Sequence, residues 1–453
     1  MLTYELKKTA GVPLYEALYR YIRLDILSGK LSPGEKLPSK RTLAENLEIS
    51  KITVEAAYNQ LLAEGFIRSQ EKVGYFVEAM ERLPQISTPS SIPAEAPKEE
   101  PVLELNGSGA PHFPFSVWMK LQREVMLDYG EKLLLPLPNR GISELRSAIA
   151  QHLSAFRGMQ VDSGNILIGA GTDFLYNLLI QLLGRDKTYA LEEPGYRKIR
   201  EVYTAGGVRC ISAGMDDRGV IAESIENADV LHFSPSHHFP TGLVTPVSRR
   251  LELLKWAADG NWIIEDDYDS EFRFDAHPMP AMLSLDPRRV IYMNSFSKTL
   301  APSIRISYMV LPRELMDKFR REFGFYSCTV ASFEQYTLAR FLSRGYFEKH
   351  INRMRKFYKQ RRNALISQVK ACPFGSKLTI LEQDAGLHFL LRLDTQLSDR
   401  ELKRLLAVQG VRVSLLSDYY LEDASDRRCL VVNYAGLKEE DFEKALDALG
   451  KIL

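Results

Sequence analysis

The sequence predicts an α/β protein in two folded parts: a small helical unit ending in a β-hairpin, then a large domain on a mostly parallel sheet with a smaller C-terminal α+β lobe. Three observations carry this. From about residue 101 onward, short and nearly continuous apolar runs alternate with amphipathic helical stretches, the pattern of strands covered on both faces by helix crossovers. Residues 13–78 show helix-period apolar spacing followed by two short β-rich runs. Between the two parts lies AMERLPQISTPSSIPAEAPKEE. This stretch is too poor in large apolar residues to fold, and its prolines keep it extended, so it is a linker. The expected boundaries are therefore 1–78, 79–100 and 101–453.

In the first part, Pro13 opens a helix running to Ser28, with Leu14, Ala17, Leu18, Tyr21, Ile22 and Ile26 on one face. Gly29 ends it, and Pro33-Gly34 makes a turn. Ser39 caps a short helix, Lys40 to Leu47, and Ser50 caps a second, Lys51 to Ala63, stopped by Gly65. Phe66–Ser69 and Tyr75–Val77 then flank Gln70–Gly74 as two strands and a wing. A helix fits the major groove and meets base edges with its N-terminal residues. Ser50, Lys51 and Thr53 stand at that end, and Ser39, Lys40 and Arg41 begin the preceding helix. Helix N-termini also attract phosphate, and Lys72 and Gly74 lie on the wing. Periodicity alone suits a small helical interaction domain with solvated lysines equally well.

In the second part, the clearest strands are Thr188–Glu192, Val230–Phe233, Trp262–Glu265, Val290–Met293 and Ile304–Leu311, and Ile166–Ile168 reads as a strand before the turn at Gly169. Helices such as Phe174–Leu183 and Ser248–Ala258 separate them. Long helices follow from about 320, then strands near Leu378–Glu382, Leu387–Leu393 and Leu430–Asn433.

Composition narrows the function. The chain has 453 residues, 45% of them hydrophobic, and a formal net charge of +1, so any nucleic-acid contact must come from a local patch. Its cysteines, Cys210, Cys328, Cys372 and Cys429, are widely spaced, without a CxxC pair, as expected of reduced thiols in a cytosolic protein. MLTYELKKTA lacks the apolar core of a signal peptide. No uncharged apolar run approaches the roughly 18 residues of a membrane span. The expected location is cytoplasmic, with no membrane and no metal.

Four motifs carry chemistry. Ser295-Phe296-Ser297-Lys298, with Arg305 beyond, offers a Schiff-base lysine for an aldehyde cofactor and hydroxyl and guanidinium donors for its phosphate. Asp266, ending a buried strand in Trp262–Tyr268, can hold a pyridine nitrogen protonated, with Tyr268 beside it for a phenolic oxygen. Gly169-Ala170-Gly171-Thr172 turns from a strand into a helix N-terminus, a phosphate cradle. Glu193-Pro194-Gly195-Tyr196 supplies a ring to stack on a flat cofactor. Singly, each also has a plain structural reading: a surface lysine, a capping carboxylate, a connection, a loop aromatic.

Together they support a resemblance. PSKRTLAENLEISKITVEAAYNQLLAEGFIRSQEKVGYFV resembles the GntR family of winged helix-turn-helix regulators over about 13–78. The order phosphate turn, aromatic, Asp, Lys, Arg resembles fold type I pyridoxal-phosphate enzymes of the aspartate aminotransferase superfamily over roughly 103–453. The pairing, with HFPFSVWMK (112–120), SPSHHFPTG (234–242), EDDYDSEFRF (265–274), SFSKTLAPSIRISYMVLP (295–312) and KHINRMRKFYKQRR (349–362), resembles the MocR subfamily of GntR regulators. The resemblance implies a winged helix-turn-helix plus a pyridoxal 5'-phosphate (PLP)-dependent aminotransferase fold type I domain. It implies roles for Gly171 and Thr172 (phosphate), Tyr196 (ring stacking), Asp266 (pyridine nitrogen), Tyr268 (phenolic oxygen), Lys298 (Schiff base), and Ser295 with Arg305 (phosphate). It also implies a double-stranded DNA operator, a small-molecule effector (PLP or an amino compound), and a domain-swapped head-to-tail homodimer in which each DNA reader lies against the partner's large domain.

Two positions depart from the pattern. Phe239 stands where an Asn usually precedes Pro-Thr-Gly, and Val431 stands where an arginine usually binds the substrate α-carboxylate. An isopropyl group cannot replace a bidentate guanidinium. Arg427 or Arg428 reaches that place only through a strand slip, which alters the face each presents. A regulator is therefore expected in preference to the alternative, an active aminotransferase carrying a DNA-binding module. The intact Lys298, Asp266 and Arg305 argue against a vestigial scaffold. Arg197, beside Tyr196, is a further candidate for effector contact.

Overall fold

The computed structural model describes residues 4, 13–71, 73–79, 103–105, 112–273, 279–381, 386–421 and 425–453. The chain divides into two compact units, Met1–Lys98 and Glu99–Leu453. Most of the expected linker, 80–100, and the wing residue Lys72 lie outside the described residues.

In the first unit, α1 (Leu14–Leu27), α2 (Lys40–Asn46) and α3 (Lys51–Ala63) precede an antiparallel hairpin of β1 (Ile67–Gln70) and β2 (Gly74–Val77). The core gathers Leu18, Ile22, Ile26, Leu43, Val54, Tyr58, Leu61, Ile67 and Val77. Tyr19 is buried and Tyr21 is 42% exposed, the reverse of the expected face. At 100° per residue, Leu18, Ile22 and Ile26 span an arc that ends on Tyr19, while Tyr21 falls well outside it. Tyr21 stacks on Tyr4 at 5.3 Å.

The second unit is built on a seven-stranded sheet: β3 (Ile166–Gly169), β4 (Thr188–Glu192), β5 (Arg209–Ala213), β6 (Val230–Phe233), β7 (Trp262–Asp266), β8 (Val290–Ser295) and β9 (Ser307–Val310). Their spatial order is β3-β9-β8-β7-β6-β4-β5. Neighbours from β8 to β5 are parallel, and β9 runs antiparallel to both β8 and β3. Two apolar clusters cover its faces. The edge strand β5 was not anticipated; its burial is mostly partial, which weakens the apolar signal. β9 begins at Ser307 rather than Ile304, because Pro302–Ile304 form a 3₁₀ turn and Arg305 is left-handed at φ +50°. A smaller antiparallel sheet joins β10 (Leu378–Leu381), β11 (His388–Leu393) and β12 (Cys429–Asn433).

Candidate functional site

The large unit's candidate residues converge at the carboxyl edge of the parallel strands, the usual ligand-binding edge of an open α/β sheet. Strand register explains the pairing at its centre. Ser307 of β9 lies opposite Gly169 of β3 on one side and Ser295 of β8 on the other. Because β9 is antiparallel, two steps beyond Gly169 and two steps before Ser307 meet, bringing Gly171 against Arg305. The approach is close: a Cβ on Gly171 would lie 2.2 Å from Arg305 Nη2. Gly171 has φ +85° and ψ 166°, a conformation essentially reserved for glycine. It precedes the helix Thr172–Leu183, so that helix's free N–H groups face the same place.

Lys298 rides on a single turn, Phe296–Thr299, which Ser295 caps by accepting from Ser297 N at 3.1 Å. The Ser295 hydroxyl thus has a local task, donating also to Ser297 Oγ at 2.9 Å. Lys298 keeps solvent access on one side, yet surrounding protein lowers its amine below the ordinary lysine range, opposed by the charge of Asp269. A larger fraction of free amine is therefore present at neutral pH.

Asp266 ends β7 and is buried. Its Oδ2 accepts from the Tyr176 hydroxyl at 2.6 Å and lies 3.4 Å from His232 Nε2. His232 Nδ1 in turn lies 2.8 Å from the Tyr203 hydroxyl. The other oxygen, Oδ1, is buried without a hydrogen-bond partner among the described residues. Tyr268 follows on, its hydroxyl 3.3 Å from His237 Nδ1; burial, then the charge of Asp269, raises its pKa well above normal. The same His237 nitrogen is 2.9 Å from Asp269 Oδ2. His237 and His238 lie in the loop that follows β6, and both are buried. Tyr196 is exposed and meets Phe239 edge-on at 6.0 Å. Phe239 in turn touches Tyr419 and His388.

Val431 is fully buried with Leu390 and Cys429, packed against Phe239, Leu416 and Tyr419. Both nearby arginines precede β12: Arg427 lies over the Tyr420 ring at 4.5 Å, and Arg428 donates to the Leu397 carbonyl at 3.2 Å. Sequence reasoning missed Tyr176, His232, Tyr203 and His237. For His232 and Tyr176 the available signal was a polar group inside an otherwise apolar run.

On the DNA-reading unit, the Ser39 and Ser50 hydroxyls accept from Thr42 N and Thr53 N at 3.1 Å, as caps. Lys40 turns inward to Glu55 at 2.7 Å and lies over the Tyr75 ring, so it is committed within the fold. Arg41 pairs with Glu45 at 2.9 Å on the surface. Lys51 is exposed on the first turn of α3, and Ile52 beside it is 77% exposed, an apolar side chain the sequence reading did not single out. Gly74 at the wing has φ +137°, and a Cβ there would press on Lys36 at 3.1 Å.

These features fit PLP: a buried carboxylate oxygen without a partner among the described residues, a glycine whose missing Cβ makes room for the Arg305 guanidinium, and a lysine with a lowered pKa. A winged helix-turn-helix followed by such a domain defines a PLP-binding, DNA-binding transcription regulator. Residues 14–77 match the family of bacterial regulatory proteins, gntR family, and residues 101–449 match aminotransferase class I and II. The chain is 36% identical to the uncharacterized HTH-type transcriptional regulator YdeL of Bacillus subtilis, over 98% of this chain and 97% of that one. It is 31% identical to the probable rhizopine catabolism regulatory protein MocR of Rhizobium meliloti, over 98% of this chain and 94% of that one. An archaeal alanine:glyoxylate aminotransferase superposes with a TM-score of 0.69 at 22% identity, covering 78% of this chain and 91% of its own, which shows the fold. The chain belongs to the MocR subfamily of GntR-type transcriptional regulators. Among the described residues no helix is long and apolar enough to cross a membrane.

Proposed function

We propose that this regulator senses PLP itself, or an amino compound that joins it, and performs little or no transamination. Bound, the cofactor supplies an aldehyde that condenses with primary amines and a pyridinium ring that withdraws electrons. Lys298 presents the amine, Asp266 Oδ1 receives the ring N–H, and Tyr268 serves the phenolic oxygen. Gly171, Thr172, Ser295 and Arg305 hold the phosphate, and Tyr196 stacks on the ring. On DNA, Lys51, Thr53, Ser50, Ser39 and Arg41 contact the operator from the helix starts, and Lys72 and Gly74 from the wing.

The observation that carries the reading is the apolar wall of Val431, Phe239 and Tyr419. The Val431 isopropyl and Phe239 ring offer a carboxylate no guanidinium in exchange for its hydration, while Lys298, Asp266 and Arg305 are all present. The division into reader (1–78), linker (79–100) and effector domain (101–453) lets occupancy of one part bias the other. An effector that favours one arrangement of a head-to-tail homodimer repositions the two readers relative to their half-sites. Phe115, Met119 and Met126 support pairing with a second copy: all are exposed and share one face of the helix Phe115–Tyr129, an apolar stripe that a partner covers. As a regulator of bacterial operators, the chain acts in the cytoplasm.

The test titrates operator binding with and without PLP, then supplies a panel of amino acids and keto acids. Operator affinity is expected to depend on PLP in the wild type and not in Lys298→Ala, with negligible turnover. Rapid multiple turnover overturns the reading.

A further inference from the structure

We infer that Asp173 is an internal competitor for the cofactor's phosphate, setting the affinity of the Lys298 site low enough for occupancy to follow concentration. The inference rests on the sensing function proposed above and deepens it. Asp173 is the second residue of the helix Thr172–Leu183, where a negative charge is favoured by the helix dipole. Its Oδ2 accepts from Lys198 Nζ at 2.8 Å and from Arg305 Nη2 at 3.3 Å. A single carboxylate oxygen therefore draws on the helix N-terminus, on Lys198 and on the guanidinium that lies against Gly171. These are the attractions a phosphate dianion needs. With Asp173 among them, the cradle offers one net positive charge instead of two. The carboxylate is one-third exposed, so it can swing aside into water when phosphate arrives, at a cost in affinity.

Asp173 is thus a positioning residue acting through Arg305, and the sign of its effect separates competition from mere support. A residue that only steadied Arg305 would weaken cofactor binding when neutralised. A competitor strengthens it. The experiment measures PLP and pyridoxal affinity of the full-length protein by absorbance titration. Asp173→Asn is expected to bind PLP on the order of tenfold more tightly, equivalent to about 1.4 kcal/mol, and to leave pyridoxal binding unchanged, since pyridoxal lacks the phosphate. Asp173→Ser, which keeps a helix-starting side chain without charge, should give the same gain. In an Arg305→Ala background the gain should shrink, leaving only the part that Asp173 takes from Lys198 and the helix N-terminus. Equal or weaker PLP binding in both Asp173 variants overturns the inference, as does an equal gain for pyridoxal. Failure of the underlying site reads differently: wild type and Lys298→Ala would then bind PLP alike.

Discussion

Replacing Gly171 with Ala perturbs the phosphate cradle at its tightest point. The new Cβ would fall 2.2 Å from Arg305 Nη2, 2.5 Å from Cζ and 3.0 Å from Nε, so the whole guanidinium must move. The backbone adds its own cost. At φ +85° and ψ 166° an alanine carries about 1–3 kcal/mol of strain. Displacing Arg305 removes a charge-assisted contact to the phosphate of about 1.5–3 kcal/mol, or roughly 10- to 150-fold in affinity. A PLP titration of Gly171→Ala should therefore resemble that of Arg305→Ala. Urea unfolding without PLP should show the strain in Gly171→Ala and not in Arg305→Ala. PLP binding within twofold of wild type would refute the assignment of this turn.

On the DNA-reading unit, Lys51→Ala should lower the log–log salt slope of operator binding by about one unit if it contacts a phosphate. Ile52→Ala should instead flatten preference at a single thymine, whose methyl group is the natural partner of an exposed apolar side chain in the major groove; uniform weakening on all sequences would contradict this. Burial depresses the His238 pKa to about 3, below its unfolded value near 6.5. Stability from neutral His238 is thus present above pH 6.5 and lost as pH falls toward 3. Between pH 7 and 5.5 the loss is about 1 kcal/mol. Glu271, raised to about 7 by burial, works in the opposite sense, so the comparison is between wild type and His238→Gln. An identical pH dependence of urea unfolding in the two would remove His238 from the account.

Much of the candidate site was legible because the residues the structure brings together are local signals. Gly171 and Thr172 sit where a strand turns into a helix, and Asp266 and Lys298 end or follow β-strands whose apolar runs are unmistakable. Capping serines likewise marked the starts of α2 and α3. What stayed hidden depends on register. His232 stands in the apolar run Val230–Phe233 and reads as a core residue. It reaches Asp266 only because β6 pairs with β7 so that His232 lies opposite Ile264. Tyr176, one turn into its helix, is 90 positions from the carboxylate it serves. Lys40 shows the converse, a basic residue at a helix start that the fold spends on Glu55.

No two neighbouring strands alone bring the candidate residues together, since Gly171, Tyr196, Asp266, Lys298 and Arg305 end, follow or precede five different strands of the sheet. Unfolded chains have no such constellation, so the vitamer binds the native state almost exclusively. By mass action, a hundredfold excess over Kd adds about 2.7 kcal/mol to folding. Proteolysis of the full-length protein is therefore expected to slow as PLP is added.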